Sequence, residues 1–167
     1  MSRPSKVVVQ MEHPPKIRHA TKADILAVTD LIVRIKKLNN EFDPLFAVHE
    51  DLQSTAMKYV SETIGVPDKL MLVAEEGGKV VGVCRAEMRH RPFYEPSREG
   101  FITEFYIMPE FRRKALGHEI LDKASGELKS MGAQIIVGDV PSQNEIAVRF
   151  YTKRGFRTLV QHMGKKP

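Results

Sequence analysis

The sequence is poor in the features that mark secreted, membrane-spanning and disulfide-linked proteins. Among its 167 residues Cys84 is the single cysteine, which excludes a disulfide within the chain and fits a reducing compartment. No apolar run approaches the roughly 20 residues that a membrane-spanning helix needs, and the first residues show no signal-peptide pattern. We therefore expect a cytoplasmic protein with no membrane partner.

Several common signatures of catalytic centres are also missing. Neither G-x-G-x-x-G nor a Walker pattern occurs, which argues against dinucleotide and nucleoside-triphosphate binding. The six histidines show no ligand-like pairing, so we expect no metal. Cys84 has no histidine at a recognisable spacing, so we interpret it as a small buried apolar residue rather than an acyl-carrying nucleophile.

The composition is that of a one-domain globular protein with a modest positive charge. Hydrophobic residues make up 42% and charged residues 28% of the chain, and 26 Lys and Arg against 21 Asp and Glu give a net charge of +5. This charge fits an anionic ligand. It also allows an RNA- or ribosome-associated protein, but the basic residues are spread along the chain and no basic-and-aromatic motif supports a specific nucleic-acid partner.

The order of apolar periods predicts an α/β fold with a mixed sheet and helices on both faces. We interpret residues 1–15 as a mobile leader and residues 16–167 as one domain, with the order β-α-α-β-β-β-α-β-α-β. Thr21 and Asp24 form a capping-box pattern before the first helix, and residues 142–145 form another before the last helix.

Five strand assignments decide the topology. Gly77-Gly78 separates two strand-like runs, which predicts a hairpin. The apolar run 134–140 is predicted to be a central strand, parallel to the strand 101–107 and joined to it by a right-handed crossover through a helix. A last strand is predicted at 156–160.

The start of that crossover helix breaks a local rule of helix chemistry. Arg112, Arg113 and Lys114 stand where the helix dipole is already positive. A bound anion would relieve the repulsion, because free N–H groups and basic side chains would converge on it. The segment is therefore predicted to bind a diphosphate, the alternative being three ordinary surface cations.

Two motifs resemble those of the GNAT superfamily of N-acyltransferases. Residues 107–117, I-M-P-E-F-R-R-K-A-L-G, resemble its acyl-CoA signature V-x-P-x-x-R-x-x-G-x-G/A, and residues 144–156 resemble its later motif N-x-x-A-x-x-F-Y-x-x-x-G-F. The element order also matches from Lys16 onward. The resemblance implies an acetyl-CoA-dependent N-acetyltransferase that moves an acetyl group to a primary amine, in a small cationic molecule or in a protein or peptide, by direct transfer in a ternary complex.

The resemblance also implies where the coenzyme binds. Backbone amides of residues 112–117 would hold the diphosphate, residues 106–108 would pair with the pantetheine arm through a splayed or bulged strand, and Asn144 would contact that arm. The coenzyme site predicted in this way comprises Tyr106, Ile107, Met108, Arg112, Arg113, Lys114, Ala115, Leu116, Gly117, His118, Asn144, Phe150 and Tyr151.

Ala115 departs from the family pattern, which usually has its first glycine there. A methyl group at this position crowds the backbone's approach to the diphosphate. We expect helical dihedral angles at Ala115, which alanine adopts freely and where it favours the helix by about 1 kcal/mol over glycine.

Acyl transfer to an amine needs a base, an oxyanion donor and at most a weak acid. With a lysine-like pKa of about 10.4, only about one amine in 10³ is neutral at pH 7. Glu104, on the strand predicted at 101–107, is our candidate base, and Glu87 on the neighbouring strand is the second candidate. The alternative for Glu104 is an ordinary solvated strand glutamate. The resemblance implies that the Ile107 N–H donates to the thioester carbonyl. It also implies that Tyr151 lies near the sulfur and protonates the leaving thiolate. The alternative for Tyr151 is a core tyrosine with a satisfied hydroxyl.

The acceptor site is the least specified. We assign to it Glu41, Phe42, Asp43 and Glu87, because carboxylates beside an aromatic surface suit a cationic amine; ordinary solvated loop acids are the alternative. Two alternatives stay open: the protein could be a non-catalytic acyl-CoA sensor on the same fold, and its donor could carry an acyl chain longer than acetyl. A homodimer would use Val7-Val8-Val9 or the last strand.

Overall fold

Short apolar runs build a five-stranded sheet that carries α-helices on both faces. The computed structural model describes residues 14–112 and 115–167, so most of the predicted leader, with Arg113 and Lys114, lies outside the described residues. In chain order the described elements are β1 Lys16–His19, α1 Ile25–Phe42, α2 Leu52–Ser61, β2 Lys69–Glu76, β3 Lys79–His90, β4 Arg98–Ile107, α3 Leu116–Ser130, β5 Ile135–Gly138 and α4 Glu145–Thr152. Short 3-10 turns occupy Lys22–Asp24, Pro44–Phe46 and Pro109–Phe111.

The sheet has the strand order β1-β2-β3-β4-β5, antiparallel from β1 to β4 and parallel between β4 and β5. This confirms the hairpin at Gly77-Gly78 and the parallel pairing of β5 with β4. β5 is nevertheless an edge strand of the described sheet, not a central one as predicted.

The strand predicted at 156–160 does not form, and residues 156–167 have no regular secondary structure. Phe156 packs against the ring of Tyr151, with 5.0 Å between centroids. Beyond it, Leu159 and Val160 are 50% and 72% exposed. The apolar residues of this segment therefore share no buried face, which a strand on a sheet edge requires.

The helices divide between the two faces of the sheet. α1 contacts β3 and β4 from one side and carries α2, whereas α3 contacts β2, β3 and β4 from the other. The centres of β2 and β3 are buried on both faces, which explains their continuous apolar sequence. None of the described helices is long and apolar enough to cross a bilayer.

The start of α1 is tied to the sheet by a carboxylate. Asp24 Oδ2 accepts the Thr21 N–H at 2.7 Å, as the capping-box pattern predicted. The Arg18 guanidinium donates to both oxygens of Asp24 and to Glu75 on β2. The hydrogen bonds from Arg18 outweigh desolvation by burial and lower the pKa of Asp24 to about 2. α1 is thereby joined to β1 and β2.

Candidate active site

β4 and β5 separate from each other partway along β4. Their ladder ends at Ile102 and Gly138, and the last bond runs from the Asp139 N–H to the Ile102 carbonyl at 3.1 Å. β4 continues to Ile107, so among the described strands residues 103–107 have no partner on that edge. This is the splayed strand that the resemblance implied, and we call it the β4–β5 opening.

Ile107 directs its backbone polar groups into the β4–β5 opening. The Met108 N–H donates to the Val81 carbonyl on β3 at 2.9 Å. Because polar groups alternate along an antiparallel strand, the N–H and C=O of Ile107 point away from β3. The Ile107 carbonyl accepts a hydrogen bond from Arg112 Nε at 2.8 Å. Met108, predicted to pair with the pantetheine arm, instead uses its N–H within the sheet.

α3 begins after the basic residues rather than among them. Its first residue is Leu116, and the Glu119 N–H donates to the Ala115 carbonyl at 2.9 Å. Ala115 has φ 63° and ψ 0°, so the expectation of helical angles at this residue is wrong. The left-handed conformation turns the chain into the helix, where glycine would be unstrained. The first-turn N–H groups of a helix lack intrahelical partners, so the anion-binding geometry is retained.

α4 lies against the N-terminal turn of α3. A methyl group on Gly117 would lie 2.9 Å from the Phe150 ring, so only glycine allows this approach. The Arg154 guanidinium lies 3.8 Å from the centre of the Phe150 ring, and its Nε donates to His118 Nδ1 at 3.0 Å. The two helices border a groove of about 440 Å³, the basic groove, which is lined by His118, Ile146, Arg149, Phe150, Lys153 and Arg154.

Tyr151 closes the other side of the β4–β5 opening. A methyl group on Gly138 would lie 3.5 Å from the Tyr151 hydroxyl oxygen, which places this hydroxyl at the end of β5. The side chain packs on Phe105 and Phe150, and the residue is only 7% exposed. Burial raises the pKa of Tyr151 well above its ordinary value, so it keeps its proton at neutral pH. Within residues 14–112 and 115–167 its hydroxyl has no hydrogen-bond partner, unlike a core tyrosine with a satisfied hydroxyl.

Glu104 is buried, which contradicts the alternative of a solvated strand glutamate. Only 5% of the residue is exposed, because α1 and α2 cover it. Its Oε1 lies 2.7 Å from Lys36 Nζ, and its Oε2 accepts the Tyr59 hydroxyl at 2.8 Å. Burial, and then the charge of Glu104, raise the pKa of Tyr59, so Tyr59 remains a donor. Arg85, 3% exposed, lies over the Tyr59 ring at 4.2 Å.

Lys36, Tyr59 and Arg85 were not identified from the sequence. Lys36 and Glu104 are 68 positions apart, and Tyr59 and Glu104 are 45 apart. Within the local sequence each resembles an ordinary helix or strand residue. Only the packing of α1 and α2 on the sheet brings them together.

Glu87 is in a different environment from Glu104. Arg85 lies 3.1 Å from one of its oxygens and Arg89 2.7 Å from the other. Partial burial raises the pKa of Glu87, but the hydrogen bond from Arg89 and the charges of Arg85 and Arg89 outweigh it and leave the pKa below its ordinary value. A carboxylate held in this way is a weaker base than an unpaired one.

The residues predicted for acceptor binding lie at and after the end of α1. Glu41 is exposed and Phe42 is half-buried. Asp43 Oδ1 accepts the Leu45 N–H at 2.8 Å, so this carboxylate caps a 3-10 turn. The described structure shows no hydrogen bond between these residues and Glu104.

Asn144 has a structural task at the start of α4. Its Oδ1 accepts the Ala147 N–H at 3.1 Å, so Asn144 is the cap of this helix. The predicted capping box, which placed the cap at Ser142, is therefore wrong. The amide nitrogen of its side chain is not used by this cap and is available to a ligand.

Comparison with known proteins identifies the family. The family described as Acetyltransferase (GNAT) family matches residues 33–156, which is most of the chain. The chain therefore belongs to the GNAT acetyltransferase family. This confirms the resemblance and, at the level of the family, the prediction of an acyltransferase.

The relatives are named as acetyltransferases or N-acyltransferases. The chain is 26% identical over 150 residues to an L-methionine sulfoximine/L-methionine sulfone acetyltransferase of Salmonella typhimurium, a match covering 87% of this chain and 81% of that protein. It is 24% identical over 147 residues to the L-amino acid N-acyltransferase MnaT of Escherichia coli, with the same coverage of 87% and 81%.

Solved structures share the fold. The aminoglycoside N-acetyltransferase AAC(6')-Iy in complex with CoA has a TM-score of 0.75 at 15% identity, covering 96% of this chain and 99% of that one. An acetyltransferase from Clostridium acetobutylicum with acetyl-CoA has a TM-score of 0.71 at 18% identity, covering 91% and 96%.

Proposed function

We propose that this chain is an acetyl-CoA-dependent N-acetyltransferase that moves an acetyl group to a primary amine by direct transfer in a ternary complex. The observation that carries the proposal is the β4–β5 opening. It has the Ile107 N–H on one side and, on the other, the Tyr151 hydroxyl, which has no hydrogen-bond partner among the described residues, and α3 begins nearby. These are the groups that acyl transfer from a thioester needs.

The coenzyme would bind along α3 and α4. The first-turn N–H groups of α3 attract a diphosphate, because their partial charges add to the helix dipole. The basic groove supplies Arg149, Lys153 and Arg154 for further phosphate groups. The pantetheine arm would then enter the β4–β5 opening and pair with Ile107. Acetyl is the donor proposed, in line with the relatives' names.

The chemistry would use Glu104, Ile107 and Tyr151. Glu104 would take a proton from the acceptor ammonium, directly or through water, once the acceptor displaces Lys36 from its Oε1. The Ile107 N–H would stabilise the tetrahedral oxyanion. Tyr151, which keeps its proton, would donate to the leaving thiolate.

A small primary amine is the acceptor that the comparisons support. Two relatives are named for amino acids or their derivatives, and a third, 25% identical over 142 residues, is an aminoalkylphosphonate N-acetyltransferase of Salmonella typhimurium. If the acceptor is instead a simple cation that uses Glu41 and Asp43, reversing both charges should raise KM for it, and an unchanged KM would exclude that site.

The test is thiol release from acetyl-CoA across L-amino acids, an aminoalkylphosphonate and a polyamine. We expect turnover with one class of amine. Glu104→Gln should lower kcat about 10²- to 10⁴-fold while acetyl-CoA affinity, measured by calorimetry, is retained. Glu87→Gln is the matched comparison and should lose much less. A kcat that survives Glu104→Gln would place the base elsewhere, and coenzyme binding without turnover on any amine would favour the non-catalytic sensor.

A further inference from the structure

A side chain of the protein itself occupies the edge of β4 that the pantetheine arm would use. Arg112 Nε donates to the Ile107 carbonyl at 2.8 Å, and the guanidinium carbon lies 5.5 Å from the centre of the Tyr106 ring. In the described part of the chain Arg112 has no carboxylate partner. A backbone carbonyl therefore holds this exposed arginine, and the described residues offer it no stronger acceptor.

The same carbonyl is needed when a donor binds. Ile107 presents one N–H and one C=O to the β4–β5 opening, and a pantetheine amide that pairs with this edge requires the oxygen that Arg112 contacts. The guanidinium lies on this oxygen, at the strand edge where the arm would pair. The arm would therefore displace Arg112 from the carbonyl when it lies along β4.

A bound acyl-CoA would offer the released guanidinium a second acceptor, the diphosphate of the coenzyme. Arg112 stands in the turn between β4 and α3, on the approach to the helix N-terminus where the diphosphate would bind. A guanidinium matches phosphate oxygens with paired donors and binds them more strongly than it binds a neutral carbonyl. A donor with a diphosphate therefore gives Arg112 a new acceptor in place of the Ile107 carbonyl, whereas a donor without a diphosphate leaves that hydrogen bond broken and unreplaced.

We propose that Arg112 selects for thioesters that carry a diphosphate, by exchanging the Ile107 carbonyl for that diphosphate when the donor binds. The inference rests on the proposed function, because it assumes that the donor arm pairs with Ile107. It adds a specificity element: pantetheine thioesters that lack the diphosphate bind more weakly because of the protein's own side chain.

The experiment compares acetyl-CoA with S-acetylpantetheine by calorimetry on the whole chain. Arg112→Ala should weaken acetyl-CoA binding about 10-fold or more, because a charge-assisted contact is lost. The same variant should bind S-acetylpantetheine about 3- to 10-fold more tightly than the wild type, because one hydrogen bond no longer has to be broken. Arg154→Ala, from the basic groove, is the matched control and should weaken acetyl-CoA binding alone.

The opposite signs distinguish exchange from simpler roles. If Arg112 only bound phosphate, its removal would leave S-acetylpantetheine binding unchanged, and if it only stiffened the turn, both ligands would bind more weakly. S-acetylpantetheine that binds no better to Arg112→Ala than to the wild type, including binding to neither, overturns the inference. Failure of the wild type to bind acetyl-CoA would instead contradict the proposed function. Thermal denaturation of each variant checks that it is folded.

Discussion

Two glutamates on neighbouring strands show how strongly the surroundings of one residue decide its chemistry. Glu104 is buried, with one lysine and one tyrosine on its oxygens, whereas Glu87 is held between two arginines. Lys36 has a flexible stem and is 37% exposed at the side chain, so it can give way to an acceptor amine. Glu87 is held on one side by Arg85, which is buried and hydrogen-bonded to Thr63, and on the other by Arg89, so that both of its oxygens stay paired with a guanidinium.

Ala115 carries a local strain that one substitution can remove. A left-handed conformation costs an L-residue roughly 1–2 kcal/mol. Glycine avoids this strain, but it raises the entropy of the unfolded chain and thereby destabilises the fold by about 0.4–1 kcal/mol. Ala115→Gly should therefore stabilise the protein by about 0.5–1 kcal/mol in urea denaturation, and should tighten acetyl-CoA binding by removing a methyl group from the diphosphate turn. Ala27→Gly, at an exposed site in α1, should destabilise it by about 1 kcal/mol. Equal effects of the two substitutions would contradict the strain.

The contact between the elements α3 and α4 depends on the missing side chain of Gly117. Gly117→Ala places a methyl group 2.9 Å from the Phe150 ring, and such overpacking costs about 1–3 kcal/mol. We expect lower stability and weaker acetyl-CoA binding, because α4 is pushed away from α3 and the basic groove between them changes shape.

A second glycine of α3 provides the control. Gly126 has no atom within 4 Å of an added methyl group, so Gly126→Ala should stabilise α3 by about 1 kcal/mol through helix propensity. Chemical denaturation of both variants compares them directly. If Gly117→Ala were as stabilising as Gly126→Ala, the close approach of α4 would be wrong.

The ion pairs that join β1, β2 and α1 should make stability depend on pH. The pKa of Asp24 is lowered from 3.8 to about 2 in the folded state. A lowered pKa stabilises the fold above the ordinary value, and the contribution is lost as the pH falls from about 4 to about 2. At about 1.4 kcal/mol per pKa unit, it amounts to about 2 kcal/mol at neutral pH.

Asp24→Asn tests this contribution. The variant should be about 2 kcal/mol less stable than the wild type at pH 7, and the difference should shrink towards pH 2. Asp122→Asn, at an exposed site of α3, should leave the pH profile of stability unchanged. A deficit of Asp24→Asn that stays constant from pH 7 to pH 2 would show that the carboxylate's charge is not the cause.

At the scale of the whole molecule, the net charge of +5 should assist the binding of an anionic coenzyme. Screening lengths fall from about 30 Å at 0.01 M salt to about 10 Å at 0.1 M. The Kd of acetyl-CoA should therefore rise about tenfold between 0.02 and 0.3 M NaCl, whereas that of uncharged S-acetylpantetheine should stay nearly constant. The same salt dependence for both ligands would remove the electrostatic explanation.

Much of the fold was predictable because its signals are local. The periodicity of β2, β3, α1 and α3 follows from one buried face per element, and the capping box at Asp24 lies within four residues. The prediction of a last strand is wrong because it too used only a local signal. Residues 156–160 have a strand-like composition, but that composition does not show whether a sheet edge is close enough to pair with them.

By itself, the sequence determined the order of the elements, the basic turn before α3 and the family motifs, since each depends on residues that are neighbours in the chain. Only the tertiary structure decided that Glu104 is buried against Lys36 and Tyr59, that Ile107 faces the opening, and that Arg112 lies on its carbonyl. These contacts depend on how helices pack on the sheet and where two strands separate. Such relations join distant parts of the chain, and a linear pattern does not encode them.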